Sequence, residues 1–150
     1  MNREITFECN SIYSSESIKI IGNSCPIEFD RWLLNCVYLS VLRATTPGEI
    51  KLRQQREAPL GKHNSPPQHI NIQTFADELF EIDIDEMGLY GFTEPVESLV
   101  RNEKNWWESA LVHVGVFDGL HWNVVSNDAP LLSLIRQSLS KNLPVKFEKV

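Results

Sequence analysis

The chain has 150 residues, of which 42% are hydrophobic and 23% charged, and its formal net charge at pH 7 is −6. This length and composition are typical of one globular domain and argue against disorder. The negative charge argues against nucleic-acid and anionic-membrane partners, because both of these bind basic patches.

The first residues predict neither a signal peptide nor a membrane anchor. The stretch MNREITFECN carries an acid early and lacks an apolar core. The longest apolar stretch, around WLLNCVYLSVL, is shorter than the roughly 20 apolar residues of a spanning helix. A cytoplasmic protein is therefore expected. The cysteines Cys9, Cys25 and Cys36 include no CxxC pair, which predicts free buried thiols rather than a zinc site or a disulfide framework.

The first third of the chain predicts a hairpin followed by a helix. Apolar residues alternate with polar ones in segment 4–8, and segment 17–21 is rich in isoleucine, so two strands are expected. Ser24 has the features of a helix cap. The apolar segment 27–44 predicts a buried helix that ends before Pro47, and a long strand over the same residues is the open alternative.

The middle of the chain predicts helices separated by a loop. Thr46 and Glu49 form a capping-box pattern at the start of an exposed helix, and segment 59–68 is rich in turn residues. A short helix capped by Thr74 is expected over 74–80.

The following segment, EIDIDE, predicts a strand. Ile82 and Ile84 are expected to point inward, with the carboxylates between them pointing outward. A further helix is expected from residue 94 or 95 to about residue 103.

The last third of the chain gives the clearest prediction. Two β-rich runs flank Asp118-Gly119, a dipeptide favoured in tight hairpin turns. Asp128 then caps a predicted helix that ends before Pro144, and VKFEKV predicts a closing strand. The apolar stripe expected along this helix consists of Leu131, Leu134, Ile135 and Leu139. The order of elements predicts a single α+β domain over residues 1–150, with a mainly antiparallel sheet and helices packed on it.

An acidic segment stands out within this order. Residues 63–100 contain no Lys or Arg, yet they hold eight of the chain's 20 carboxylates. These are Asp77, Glu78, Glu81, Asp83, Asp85, Glu86, Glu94 and Glu97. Such a cluster has three interpretations, which are a solvated face, an interface for a basic partner, and a calcium site.

The calcium interpretation is the weakest of the three. Asp83, Asp85, Gly88 and Glu94 match positions of an EF-hand-like loop. However, Met87 takes the place of one oxygen ligand, so no metal or other cofactor is predicted.

Histidines provide the other candidate site. His113 and His121 flank the predicted hairpin turn, and Asp118 lies between them. None of the common catalytic motifs, such as GxSxG or HExxH, is present. Ordinary strand histidines are therefore the favoured interpretation, and no catalytic residue is assigned, although a carboxylate pair contributed by distant positions stays open.

Trp106 and Trp107 are predicted to begin a strand, with Trp122 across the hairpin. Adjacent strand residues face opposite sides of a sheet, so at most one of the first two joins the core. The other is expected to be exposed, or covered by a helix or a partner.

In size, net charge and the acidic EIDIDE stretch, the chain resembles the small acidic immunity proteins that bacteria make against secreted or contact-delivered toxins. The resemblance covers these traits and includes no family motif. It implies a stoichiometric inhibitor, not an enzyme, that binds a basic, nuclease-like toxin. The partner-binding residues would be Asp77, Glu78, Glu81, Asp83, Asp85, Glu86, Trp106 and Trp107.

Two other classes of function stay open. One is a small α+β enzyme or ligand-binding domain with a pocket near His113, Asp118 and His121. The other is a subunit that self-associates through Trp106 or Trp107. The sequence does not determine the oligomeric state.

Overall fold

A computed structural model describes residues 3–39, 47, 52, 56, 67–97 and 105–148. Its strands are β1 Arg3–Glu8, β2 Trp32–Leu39, β3 Gln68–Ile70, β4 Ile84–Gly91, β5 Val112–Phe117, β6 His121–Ser126 and β7 Lys146–Phe147. The α-helices with defined bounds are α1 Ser14–Ser24, α2 Ile72–Glu78 and α3 Ala129–Asn142. Short 3-10 helices span Ser11–Tyr13 and Trp106–Ser109.

The seven strands form one sheet in the order β3-β2-β4-β5-β6-β1-β7. Every neighbouring pair is antiparallel. Strand β1 lies between β6 and β7, so the start of the chain pairs with strands close to its end. The predicted α+β fold with an antiparallel sheet is confirmed.

The main core lies between one face of this sheet and the helices. Helix α1 contacts both α2 and α3, and α3 contacts β1 and β6. Phe7 and Trp122 are buried on this face with their rings stacked at 5.8 Å. The Trp122 indole N–H donates to the carbonyl of Cys9 at 3.1 Å, which satisfies its polar atom inside the core. None of the described helices is both long enough and apolar enough to cross a bilayer.

A smaller apolar cluster covers one end of the opposite face. Leu33, Phe92 and Val96 are buried there, and Tyr90 and Trp106 pack against them. The rest of this face carries no helix among the described residues, and we call it the open side of the sheet.

The helix predicted over 27–44 is wrong, because Trp32–Leu39 forms strand β2. Trp32 and Leu34 belong to the main core, whereas Leu33 belongs to the cluster on the opposite face. A strand buried on both faces is apolar at nearly every position, and hydrophobic periodicity does not distinguish it from a buried helix. The strand alternative was correct.

The predicted N-terminal hairpin is also wrong. Segment 17–21 lies inside helix α1, and Ser24 is the last residue of that helix rather than the cap of the next. The buried stripe of α1 includes Ser14, Ser17, Ile18 and Ile21, a helical spacing in which two positions are serines. Hydropathy does not count serine as apolar, so the isoleucines alone gave a misleading pattern.

Helix α2 begins two residues before the predicted start. Its cap is Asn71, whose side-chain oxygen accepts hydrogen bonds from the backbone N–H groups of Gln73 and Thr74 at 3.0 and 3.1 Å. The prediction of Thr74 as cap is therefore wrong. Phe75 and Leu79 are buried as expected.

Two further predictions fall largely outside the described residues. The helix predicted to start at Thr46 contains the described residues Pro47, Leu52 and Arg56, all of them helical. Of the helix predicted over 94–103, Glu97 is helical. Residues 40–46 and 98–104 are not described.

The C-terminal predictions are confirmed except at Leu134. Asp118 and Gly119 have φ of 48° and 75° in the turn between β5 and β6, as a tight hairpin turn with two left-handed residues requires. The carboxylate of Asp128 accepts a hydrogen bond from the backbone N–H of Leu131 at 3.0 Å and caps α3. Leu134 is 48% exposed. The buried stripe of α3 is instead Leu131, Leu132, Ile135 and Leu139.

Candidate functional site

Asp77 and Glu78, the first two acids of the predicted patch, have counter-ions in the folded chain. Asp77 forms an ion pair with Lys19 of α1 at 2.6 Å. Glu78 accepts hydrogen bonds from two guanidinium nitrogens of Arg56, each at 3.3 Å. The sequence segment lacks cations, but the tertiary fold supplies them, so the view of an uncompensated cluster is wrong for these two residues.

Glu81 and Asp83 lie in the connection between α2 and β4. Glu81 is exposed and has a φ of 58°, and Asp83 is half-buried with an interaction of its own. Ile82 and Ile84, which alternate with these acids in the sequence, are buried as predicted. Strand β4 begins only at Ile84, so the first half of EIDIDE is a connection rather than a strand.

Asp85 and Glu86 are presented together by a β-bulge. Tyr38 of β2 pairs with Glu86, but the next residue, Leu39, pairs with Ile84, so Asp85 is the extra residue. Both carboxylates are exposed. Within the described ranges, neither forms an ion pair with a Lys, Arg or His.

The hairpin turn between β5 and β6 lies beside this bulge. The N–H of Gly119 donates to the carbonyl of Asp85 at 2.9 Å. Phe117 and Leu120, on either side of the turn centre, are 66% and 40% exposed. We call Asp85, Glu86, Phe117 and Leu120 the turn-edge surface. It combines carboxylates with apolar side chains that are free to meet a partner.

The calcium interpretation is contradicted by the backbone. Of the four residues that match positions of an EF-hand-like loop, Asp85 and Gly88 lie in β4, which runs from Ile84 to Gly91. An EF-hand needs these residues in a tight 12-residue loop that converges on one ion. An extended strand spreads them along the sheet instead.

The two tryptophans of the predicted interface lie in a 3-10 helix, not in a strand. Trp106 is half-buried and packs edge-on against Tyr90 at 4.9 Å, whereas Trp107 is 46% exposed. One of the pair is therefore exposed as predicted, although the pleat is not the reason. Trp122 belongs to the core on the other face, so it does not join them.

The tryptophans and the turn-edge surface lie at opposite ends of β4. Trp106 packs against Tyr90 and Phe92, and Asp85 is at the start of the strand. A strand of this length spans roughly 25 Å at about 3.4 Å per residue. The predicted partner-binding residues therefore do not form a single patch.

A groove of about 430 Å³ crosses the open side of the sheet. Its floor is a row of cross-strand neighbours with small or polar side chains. In order across five strands these are Cys36, Gly88, Gly115, Asn123 and Thr6. Gly88 and Gly115 are neighbours in the middle of this row. An added methyl group would find room at Gly88, whereas the side-chain amide of Asn123 lies over Gly115. Glycine inside a strand is a sequence signal for such a site, and sequence reasoning missed it.

His113 and His121 both line the groove, but they do not face each other. His113 pairs with Val125, and His121 pairs with Phe117. The ring of His113 stacks on Tyr90, and burial lowers the pKa of this histidine. His121 lies between two carboxylates, with Asp118 and Glu148 each 3.9 Å from one of its ring nitrogens.

The groove also contains a thiol, that of Cys36. Burial, and then the negative charge of Glu86, raises the pKa of Cys36. Thiolate is the nucleophilic form, so this environment favours an inert thiol over a catalytic one. Cys9 and Cys25 are free and buried, as predicted, and burial raises the pKa of Cys25 to about 12.

No family model matches this sequence, and neither a curated protein nor a solved structure is significantly similar to it. The turn-edge surface and the groove are therefore the features of this molecule that indicate its function.

Proposed function

We propose that this chain is an immunity-type inhibitor that binds a basic protein toxin through its turn-edge surface. The observation that carries the proposal is the β-bulge at Asp85. Asp85 and Glu86 are both exposed at the bulge, and a backbone hydrogen bond joins Asp85 to the hairpin turn that presents Phe117.

The two parts of this surface have complementary roles in association. Exposed carboxylates without a local cation attract a basic surface from a distance and raise the association rate. An aromatic side chain that is exposed in the free protein can fill a pocket in the partner and slow dissociation. Asp77 and Glu78 contribute less in this proposal, because Lys19 and Arg56 already offset their charge.

The proposal includes a cytoplasmic, bacterial setting, as the resemblance to immunity proteins implies. Trp107 is a separate candidate contact at the other end of β4. Mutating it tests whether the partner also covers that end.

The first test is capture from a lysate of the source organism, with D85N/E86Q and F117A beside the wild-type protein. E28Q/E94Q is the matched control, because it removes the same amount of charge from exposed sites elsewhere. We expect one basic protein in a 1:1 complex with wild type and with the control. F117A should weaken this complex by about 30-fold, which corresponds to about 2 kcal/mol. D85N/E86Q should slow association and reduce its dependence on salt.

Inhibition must then be measured on the captured protein itself. Its expression should arrest growth, and co-expression of this chain should restore growth. The proposal is wrong if no protein binds stoichiometrically, if the captured protein is harmless, or if D85N/E86Q and F117A bind it as wild type does.

A second candidate is a ligand-binding function for the groove. This is the pocket alternative, because His113 and His121 both line the groove, whereas Asp118 is not among its lining residues. Its volume of about 430 Å³ lies within the usual range of small-molecule sites, roughly 300–1,000 Å³. Several polar side chains, including those of Asn123 and His113, converge on a floor of glycine backbone.

Cys36 reports on occupancy of this groove. In the native protein, a thiol reagent should label Cys36 slowly and leave Cys9 and Cys25 unlabelled, because Cys36 is the least buried of the three. A fragment that raises the melting temperature through the groove should also slow the labelling of Cys36, and should do neither in G88V. A C36S variant identifies the labelled site. Fragment effects that persist unchanged in G88V would contradict this candidate.

A further inference from the structure

Three strands bring a histidine and two carboxylates together at the β7 edge of the open face. Glu8 of β1 and His121 of β6 are direct cross-strand partners. Glu148 follows β7, and its backbone N–H donates to the carbonyl of Thr6 at 3.0 Å. The ligand atoms of Glu8, His121 and Glu148 lie within 4.8 Å of one another.

One hydrogen bond and two longer charge contacts connect the side chains of this cluster. The hydroxyl of Thr6 donates to Oε2 of Glu148 at 3.1 Å, while Oε1 of Glu148 is 3.9 Å from Nδ1 of His121. The other ring nitrogen of His121, Nε2, is 3.9 Å from a carboxylate oxygen of Asp118. The Nδ1 atom of His121 is therefore directed to the cluster. Its Nε2 atom is directed to Asp118, which lies outside the cluster.

This arrangement resembles a carboxylate–histidine–metal site, although Asp118, at 3.9 Å from His121, must move closer to form the hydrogen bond of such a site. In such sites, one histidine nitrogen binds the metal, and the other donates its hydrogen to a carboxylate that orients the ring. Thr6 has the same orienting role for Glu148. Two ligand atoms on one tetrahedral zinc ion lie about 3.3–3.5 Å apart, given bonds of about 2.0–2.2 Å. The side chains of His121 and Glu148 are 44% and 50% exposed, so they have the freedom to close the remaining distance.

The charge of the cluster also favours a cation. Glu8, Asp118 and Glu148 are three carboxylates around one imidazole. Lys146 is the cross-strand neighbour of Glu8 in β7, but within the described ranges none of the three carboxylates forms an ion pair with Lys or Arg. A bound divalent ion would offset this repulsion. The imidazole ligand selects for a transition metal over calcium or magnesium, which prefer oxygen ligands.

We propose that Glu8, His121 and Glu148 bind one Zn²⁺ ion, with Asp118 as the positioning residue of His121. The protein supplies three ligands, as in zinc sites that keep an open position. His121 and Glu148 also line the groove, so the open position is within reach of a molecule bound there. The inference does not depend on the proposed inhibitor function, because it uses none of the four residues of the turn-edge surface.

The test is calorimetric titration of the full chain with ZnCl₂, supported by the visible absorption of bound Co²⁺. Wild type should bind one equivalent and gain thermal stability from it. H121A and E148Q should lose more than 100-fold in affinity. D118N should lose about 10- to 100-fold, as expected for a residue that orients a ligand.

H69A is the matched control for non-specific binding of Zn²⁺ to an exposed histidine. His69 also has a glutamate, Glu97, at 3.9 Å, but it belongs to β3 at the other edge of the sheet and to no three-ligand group among the described residues. H69A should bind Zn²⁺ as wild type does. Equal melting temperatures without metal will show that all variants are folded. The inference is overturned if wild type binds no stoichiometric Zn²⁺, or if H121A and E148Q bind it with wild-type affinity.

Discussion

His113 shows how one side chain of the open face connects packing to pH. Its ring lies 4.3 Å from that of Tyr90, with 9° between the ring planes. This burial lowers its pKa below the ordinary value of 6.5. The charged form is disfavoured in the fold because it loses hydration there. In the unfolded chain no such penalty applies.

We therefore expect His113 to make the protein less stable in mild acid. Between the unfolded pKa near 6.5 and the lower folded pKa, the unfolded state binds more protons, so the free energy of unfolding falls as pH decreases through this window. The slope is at most about 1.4 kcal/mol per pH unit. The H113F variant keeps an aromatic ring against Tyr90 and should flatten this part of the profile. Urea unfolding between pH 7.5 and 5.0 measures the slope, and an unchanged profile in H113F would contradict the assignment.

Strand β4 illustrates how the two faces of one element follow different packing rules. Gly88 faces the groove, where an added methyl group would lie 3.7 Å from its nearest neighbours, an ordinary contact distance. Gly91 faces the main core, opposite Trp32 in the register. An added methyl group there would lie 2.9 Å from the Trp32 ring and 2.8 Å from Ile27.

The two glycines should therefore respond differently to alanine. G91A forces Trp32 or Ile27 out of its packed position, and we expect a loss of about 1–3 kcal/mol in the free energy of unfolding. G88A has room for the methyl group and reduces the freedom of the unfolded chain, so we expect no loss or a small gain of up to about 1 kcal/mol. Guanidinium unfolding of both variants gives the comparison. Equal losses would mean that the backbone, not the Trp32 contact, requires glycine at these positions.

Structural elements that depend only on a few adjacent residues could be predicted from the sequence. The Asp118-Gly119 turn and the Asp128 cap of α3 each need only a few adjacent residues, and both were found. Helix α1 was missed, and strand β2 was only the second choice, because the burial of both depends on tertiary partners. Ser14 and Ser17 face inward only because other helices pack there, and Leu33 is buried only because Phe92 covers the second face.

The candidate sites depend even more on long-range register. The acidic segment was visible in the sequence, but the ion pair of Asp77 with Lys19 joins residues that lie far apart in the chain. The groove floor needs five strands aligned by single residues, and hydropathy carries no information on that alignment. His121 and Glu148 lie far apart in the sequence. In the fold, β1 lies between β6 and β7 and places Glu8 between these two residues. The sequence therefore revealed the acidic segment and His121, but not Glu8, Glu148 or their grouping with His121.

At the scale of the whole molecule, charge and apolar surface are distributed unevenly over the sheet. The helices bury one face, and the described part of the other face displays the groove, the turn-edge surface and the cluster around His121. Binding features concentrated on one side of a rigid sheet allow a partner or ligand to engage without disturbing the main core. The proposed docking residues and the proposed metal ligands can accordingly be mutated with little effect on stability.

The position of β1 has a consequence for how the protein is made. Residues 3–8 are synthesised before their strand partners, which are residues 121–126 and 146–147. At ribosomal rates of about 5–20 residues per second, β1 waits roughly 6–25 s before β6 exists. Phe7, which is fully buried in the finished fold, has no sheet to enter during that interval. Strand β1 therefore lacks its strand partners while the intervening residues are made, and we expect this side of the sheet to close only after residues 121–147 have been synthesised.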